Sequence, residues 1–402
     1  MTKDDTRQVL YARATYGSEE RDAVNAVLDN PKALVGGPKT AEMERRAADR
    51  FGKDHGVMVN SGSSANLLAV ELLNLPRGAE VITPLVTFST TVAPLVQKGL
   101  VPVFVDIGLG DYLLDIDQVR SVITENTEAL MIPSLLGNIP NYPEFRQLAD
   151  EHDLYLIEDS ADTIGASIAG SPTGVFTDIS TTSFYGSHII TAFGGGGMVA
   201  VNDDEWMQRL KKLRGWGRKS AVDETESITD RLNTQLGDIT YDSKFIFDEL
   251  GYNFLPLEAS AAFGVEQLKK LETFSSLRKN NFQSHLQFFS QYDDWFVLPK
   301  QRDDVETCWL AFPLTIREEA PFTRAELVTH LENNGIQTRS LWSGNLLKHP
   351  GFEDIECRLP LDSYPNANRV MQSAFVIGAH QSMGQAEREY VRETFTEFFD
   401  GL

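Results

Sequence analysis

The sequence predicts an α/β protein: a mostly parallel sheet covered by helices in a large domain, followed by a smaller α+β C-terminal domain. Two observations carry this. Short apolar runs recur between residues 56 and 201 with helical patterns separating many of them, the alternation that builds parallel strands with crossover helices. At 402 residues the chain is also longer than one ordinary domain, and its pattern becomes mixed after Leu257.

Taken in order, residues 10–30 read as a leading helical segment. Residues 40–51 (TAEMERRAADRF) form a solvated amphipathic helix with Thr40 as its cap and Glu42 and Glu44 near its start. A short buried strand over 56–60 runs into Ser61-Gly62-Ser63-Ser64-Ala65-Asn66, then an apolar helix over 67–73. Strands follow at 80–82, 101–105, 129–132, 154–158, 181–184 and 197–201, with helices at 91–98, 116–124 and 144–153. A basic helix over 206–214 leads away from the sheet. The polar stretch 219–244 reads as a long excursion or lid. A helix over 258–274 joins a second domain with a strand near 309–316 and helices near 324–333 and 385–399. The expected division is a large cofactor-binding domain with its N-terminal segment over 1–265, and a small domain over 266–402.

Composition narrows the function. A formal net charge of −22 argues against nucleic acid or an anionic membrane as partner, because phosphate binding needs a basic face. The N-terminus lacks a signal pattern and no apolar run approaches a membrane span, so a cytoplasmic location is expected. Cys308 and Cys357 are the only cysteines, too few for a disulfide framework or a cysteine metal cluster. No metal is expected.

Three constellations carry chemistry. Ser61 to Asn66 sits between a strand and a helix, where small residues let backbone N–H groups converge on a phosphate. A serine-rich helix cap can also be purely structural, and the turn is neither a P-loop nor a dinucleotide-binding turn. Next, a strand ends in Glu158-Asp159, where ligands of open α/β sheets bind and where an acid could keep a pyridinium nitrogen protonated. Finally, a strand-like run from Ser183 ends in His188, ahead of a glycine-rich turn over Gly194 to Gly197. No lysine occurs between Lys98 and Lys211. A lysine at 188 would form a Schiff base with an aldehyde cofactor; a histidine cannot, but it moves protons.

These motifs, with Thr83-Pro84 leading to Phe88 and with Leu250-Gly251-Tyr252-Asn253, resemble fold-type I pyridoxal-phosphate proteins of the sugar aminotransferase/dehydratase family. The resemblance spans residues 30–265, and the C-terminal part agrees in layout. Within the family the chain is most similar to the nucleotide-linked 4-keto-6-deoxyhexose 3-dehydratases, which carry histidine in place of lysine. Ser134-Leu135-Leu136-Gly137-Asn138, Trp216-Gly217-Arg218 and Gly344-Asn345-Leu346 add to that likeness. The interval from Arg218 to Gly251 has no cysteine, so the iron–sulfur form, which needs four in most clusters, is excluded. Two further departures stand out. Leu255 and Pro256 occupy the place of a usual basic residue, and the acid common in the glycine-rich turn is absent.

The resemblance implies a function. Pyridoxamine phosphate would serve in removing the C3 hydroxyl of a nucleotide-linked 4-keto-6-deoxy sugar, and glutamate would regenerate the amine from pyridoxal phosphate. Gly62, Ser63 and Ser183 would hold the cofactor phosphate. Phe88 would stack on the ring, Asp159 would pair with its nitrogen, and Asp162 would lie near its phenolic oxygen. Asn253 would reach the cofactor of a neighbouring subunit in a homodimer, and His188 would be the acid/base. Trp216, Arg218, Arg339, Trp342, Ser343 and Asn345 are the substrate-side candidates. An aminotransferase-like enzyme acting on a nucleotide sugar or aminocyclitol, or a non-catalytic cofactor-binding homologue, are the alternatives.

Overall fold

A computed structural model describes residues 8–30, 34–222 and 227–402. Two helices, α1 (Ser18–Leu28) and α2 (Pro38–Asp49), lead into alternating strands and helices. These are β1 (His55–Val59), α3 (Gly62–Leu73), β2 (Glu80–Pro84), α4 (Ser89–Gln97), β3 (Val101–Val105) and α5 (Ile116–Val122). Then come β4 (Thr127–Pro133), α6 (Tyr142–His152), β5 (Tyr155–Ser160) and the short β6 (Ser167–Ile168) and β7 (Ser171–Pro172). β8 (Ile179–Ser183) and β9 (Gly197–Val201) complete a seven-stranded sheet in the order β1-β9-β8-β5-β4-β2-β3. Only β9 runs against the rest. Both faces are covered: Val57, Ile157 and Val199 meet Leu68 and Leu72 of α3 on one side. Val103, Leu130 and Leu156 meet Val119 of α5 and Phe145 of α6 on the other. Strands buried on both faces need continuous apolar runs, as in the VPVFV of β3.

Beyond the sheet lie α7 (Asp204–Arg214), α8 (Ile228–Leu232) and the hairpin of β10 (Thr234–Leu236) with β11 (Ile239–Tyr241). The stretch expected as an excursion thus holds a short helix and a ribbon. The single helix expected over 258–274 is two, α9 (Glu258–Lys269) and α10 (Leu271–Phe289), broken at Lys270. α9 packs on α1 and α2, while α10 packs on the second sheet; the expected 265/266 division falls within α9. The second sheet joins β12 (Phe296–Val297), β14 (Ala311–Ile316), β16 (Ala374–Gly378) and β15 (Thr338–Ser340), in that spatial order. Between them fall β13 (Val305–Glu306), paired with β6, and the helices α11 (Arg324–Asn333) and α12 (Pro365–Ser373). α13 (Gln385–Asp400) closes the chain over a core rich in phenylalanine. Among the described residues no helix is long and apolar enough to cross a membrane.

Two local expectations are corrected. Thr40 does not cap α2; Gly37 does, with Pro38 in the first turn. The free N–H groups there are taken by the Glu258 carboxylate of α9, which accepts from Gly37 (2.8 Å), Lys39 (2.5 Å) and Thr40 (3.0 Å). A partner more than two hundred residues away leaves no local signal. Likewise helix α1 begins at Ser18, not residue 10. Residues 8–17 form a strap in which Val9 bridges Ile336 of the small domain.

The core also sets an acid limit. His285 on α10 is fully buried, with Nε2 3.1 Å from the Gly378 carbonyl. Burial pushes its pKa down to about 4, the carbonyl opposes this, and Arg392 and Arg388 add to it. The folded value lies below the unfolded one, so the unfolded chain takes the proton first and acid favours unfolding. As pH falls from about 6.5 to about 4, the protein should lose up to ~1.4 kcal/mol per pH unit relative to His285→Gln. Urea melts of both proteins between about pH 7 and about pH 5 check this; identical pH slopes would refute it.

Candidate active site

The parallel strands all end on one edge, and a cavity of about 420 Å³ opens there, within the range of small-molecule sites. Its floor begins at α3. Ser61 caps that helix, its Oγ accepting from Ser64 N at 3.1 Å, and Ala65 N bonds to Ser61 O. Gly62 and Ser63 thus stand in the first turn of α3 and line the cavity, at a helix N-terminus where an anion is favoured. Ser183, at the end of β8, faces them. A Cβ on Gly62 would sit 2.5 Å from Ser183 Cβ and 2.9 Å from its Oγ, so only glycine lets the hydroxyl close the cup. This cradle fits a phosphate. Gly62→Ala should weaken pyridoxal phosphate binding at least about tenfold, the scale of one lost hydrogen bond to a charged group. A visible-absorbance titration measures it, and unchanged affinity would refute the cup.

Asp159 stands at the end of β5, buried, with Oδ2 accepting from Asn66 Nδ2 and Thr91 Oγ1, both at 2.8 Å. Burial raises its pKa; Thr91, Asn66 and the Ala161 N–H restrain the rise. Such a carboxylate, short of cationic partners, suits a protonated ring nitrogen. Asp162 accepts from Leu136 N at 2.9 Å. Burial drives its pKa up to about 8; the Leu136 N–H opposes this, the Asp159 charge adds to it, and Trp342 opposes it. Burial thus favours the protonated form of Asp162, which can donate. The two residues beside it are strained: Leu136 (φ 58°) and Trp342 (φ 45°) are both left-handed, a cost that clusters at functional sites.

His188 is not at a strand end. β8 stops at Ser183, and His188 lies half-buried in the loop 184–196. That loop is closed by Phe184 N to Gly196 O (2.9 Å) and Ala192 N to Phe184 O (3.0 Å). His188 Nδ1 lies 3.2 Å from the Ser183 carbonyl. A carbonyl only accepts, so Nδ1 carries the proton and Nε2 the lone pair. Nε2 makes no hydrogen bond among the described residues, and the side chain lines the cavity. Burial pushes its pKa down to about 4, the Ser183 carbonyl opposes and Arg278 adds to the fall. The neutral base is the resting form.

Gly62, Ser63, Phe88, Asp159, Asp162, Ser183 and His188 all line this one cavity, as does Trp342. Phe88 is half-exposed and meets Trp342 edge-on at 5.9 Å. The other candidates lie elsewhere. Arg339 is at the rim, its guanidinium 5.6 Å from the Tyr11 ring. Ser343 Oγ donates to Thr87 O at 2.6 Å. The Asn345 side chain caps its own turn at Leu347 N and bonds to Asn368, so it does not line the cavity. Asn253 is exposed and bridges Gly215; Trp216, left-handed at φ 64°, stacks under Arg218 at 4.1 Å. None of these three lines the cavity of its own chain. Sequence reasoning passed over Tyr11, Thr91 and the role of Asn66. Asn66 lies four residues after Gly62, hence on the same helix face, and that spacing was the available signal.

The chain is similar to known proteins along nearly its whole length. Residues 14–396 match the model of the DegT/DnrJ/EryC1/StrS aminotransferase family. The dTDP-4-dehydro-2,6-dideoxy-D-glucose 3-dehydratase of Saccharopolyspora spinosa is 37% identical over 379 residues, covering 91% of this chain and 81% of that protein. The structure of E. coli GDP-4-keto-6-deoxy-D-mannose-3-dehydratase with bound hydrated PLP superposes with a TM-score of 0.87 at 30% identity, covering 96% of this chain and all of the other. A GDP-4-keto-6-deoxymannose-3-dehydratase structure with a trapped PLP-glutamate geminal diamine gives 0.85 at 30% identity, over 96% of this chain and the whole of the other.

Proposed function

Because the chain belongs to the DegT/DnrJ/EryC1/StrS aminotransferase family, we propose that it removes the C3 hydroxyl of a nucleotide-linked 4-keto-6-deoxy sugar. Pyridoxal phosphate, and its amine form pyridoxamine phosphate, serve as the cofactor of this fold. The observation that carries the reading is His188: its Nε2 opens into a cavity shared with Asp159, and none of the lining residues is a lysine.

When bound, the cofactor supplies an amine that condenses with the sugar's ketone and a ring that accepts electrons. The chain does the rest. Gly62 and Ser63 N–H groups and the Ser183 hydroxyl hold the phosphate, and Phe88 covers the ring. Asp159 keeps the ring nitrogen protonated. Asp162 donates to the phenolic oxygen, since its Oδ2 is already engaged by Leu136. His188 Nε2 takes one proton and returns one to the departing C3 hydroxyl, which leaves as water; such transfers contribute roughly 10²–10⁴-fold. C3 ends two electrons more reduced. Those electrons come from glutamate, which departs as 2-oxoglutarate while its nitrogen is released as ammonia. Two cysteines fall short of an iron–sulfur cluster, in keeping with a route that needs no outside reductant. The active unit is a cytoplasmic homodimer. Asn253, exposed and outside the lining of its own cavity, serves the cofactor of a second copy.

The test is to incubate the protein with pyridoxamine phosphate, glutamate and either GDP-4-keto-6-deoxymannose or dTDP-4-keto-2,6-dideoxyglucose, with no reductase. Mass analysis should find a sugar lacking the C3 oxygen and free ammonia. A product that keeps both oxygen and the glutamate nitrogen would make the protein an aminotransferase instead.

A further inference from the structure

We propose that Tyr11 is a further substrate-contacting residue, its hydroxyl donating a hydrogen bond to an oxygen of the bound sugar at the small-domain side of the cavity. The inference rests on the nucleotide-sugar reading above and adds a residue to it.

Tyr11 arrives on the strap of residues 8–17, which is held by the small domain. Val9 N donates to Gly335 O and Gln337 N to Val9 O, each at 2.9 Å. Tyr11 N donates to Gln337 Oε1 at 3.3 Å, and His380 Nε2 lies 3.1 Å from Leu10 O. The backbone of this residue is therefore fixed. Its side chain lines the cavity, only 9% exposed, beneath the Arg339 guanidinium. The hydroxyl makes no hydrogen bond among the described residues. A tyrosine this buried normally has a partner for its O–H. Its neighbours do not supply one: Asp162 is near enough for its charge to raise the Tyr11 pKa, after burial, but forms no hydrogen bond with it. Tyr11 lines the cavity with no partner for its hydroxyl among the described residues, which leaves that hydroxyl available to an oxygen supplied by a ligand.

Position decides which ligand. The phosphate cup and Asp159 occupy the floor, on the large-domain strands. Tyr11 comes from the small-domain side with Arg339 and Trp342, the part of the cavity left for a substrate once the cup and Asp159 are taken by the cofactor. A sugar offers hydroxyl and carbonyl oxygens there, and a neutral phenol can donate to either.

Tyr11→Phe keeps the ring and removes only the hydroxyl. Three readouts are compared with the parent: affinity for pyridoxal phosphate, the gain in affinity of GDP-mannose over GDP and of dTDP-glucose over dTDP, and turnover of the two 4-keto sugars above. The expected result is unchanged cofactor affinity and melting temperature. The sugar-dependent gain should fall about three- to tenfold, the scale of one hydrogen bond, and kcat/KM by at least that much. A variant with the parent's sugar gain and turnover overturns the proposal. So does a selective loss of cofactor affinity, which would make Tyr11 a cofactor contact. A parent that neither binds nor dehydrates any of these sugars overturns the underlying reading, and Tyr11's role with it; that failure is seen before any variant is made.

Discussion

Replacing His188 with lysine should lower dehydration by at least about 10²-fold, and toward 10⁴-fold where the imidazole serves both proton transfers. The neutral imidazole presents Nε2 to the cavity because Nδ1 is committed to the Ser183 carbonyl at 3.2 Å. A lysine amine has no such second anchor, and near neutrality it is cationic unless desolvated. In the variant the amine should instead bond covalently to added pyridoxal phosphate and produce a visible absorption band the parent lacks. The measurement is oxygen loss by mass analysis alongside the absorption spectrum. A lysine variant that dehydrates at the parental rate would remove His188 from the chemistry.

Asp159→Asn should cost turnover about 10²–10³-fold, the scale seen when one preorganised electrostatic group is removed. An amide cannot hold a proton on a ring nitrogen by charge. The variant should nonetheless fold. Its amide oxygen can accept the hydrogen bonds of Asn66 and Thr91, and burial already disfavours the charged form at this position. Loss of activity with an unchanged melting temperature is the expected pair. Turnover within about fivefold of the parent would sink the assigned role.

Much of the large domain was readable in the chain itself. β3 and β9 have the residues expected, because a continuous apolar run between turn signals has few other uses. In the small domain α11 falls where a helix is expected over 324–333, and its capping box at Thr323 and Glu326 accounts for the sharp start. What stayed hidden depends on distant partners. The Thr40 misreading arose because Glu258 caps α2 from far along the chain. The strap was read as helix because its pairing with Ile336 lies beyond any local window. In the site, the cup, Asp159 and Ser183 were legible as motifs. Tyr11 was not, since a lone tyrosine near an N-terminus carries no pattern until the small domain places it.

The loop that carries His188 has a consequence for what can stand at that position. Its closure uses backbone groups of Phe184, Ala192 and Gly196, together with the Thr191 hydroxyl, which donates to Phe184 O. None of these bonds involves the side chain at 188. The backbone closure of the loop is therefore separate from the side chain it displays, whose one anchor is the Ser183 carbonyl. The displayed group can thus be varied while the backbone closure of its loop is kept.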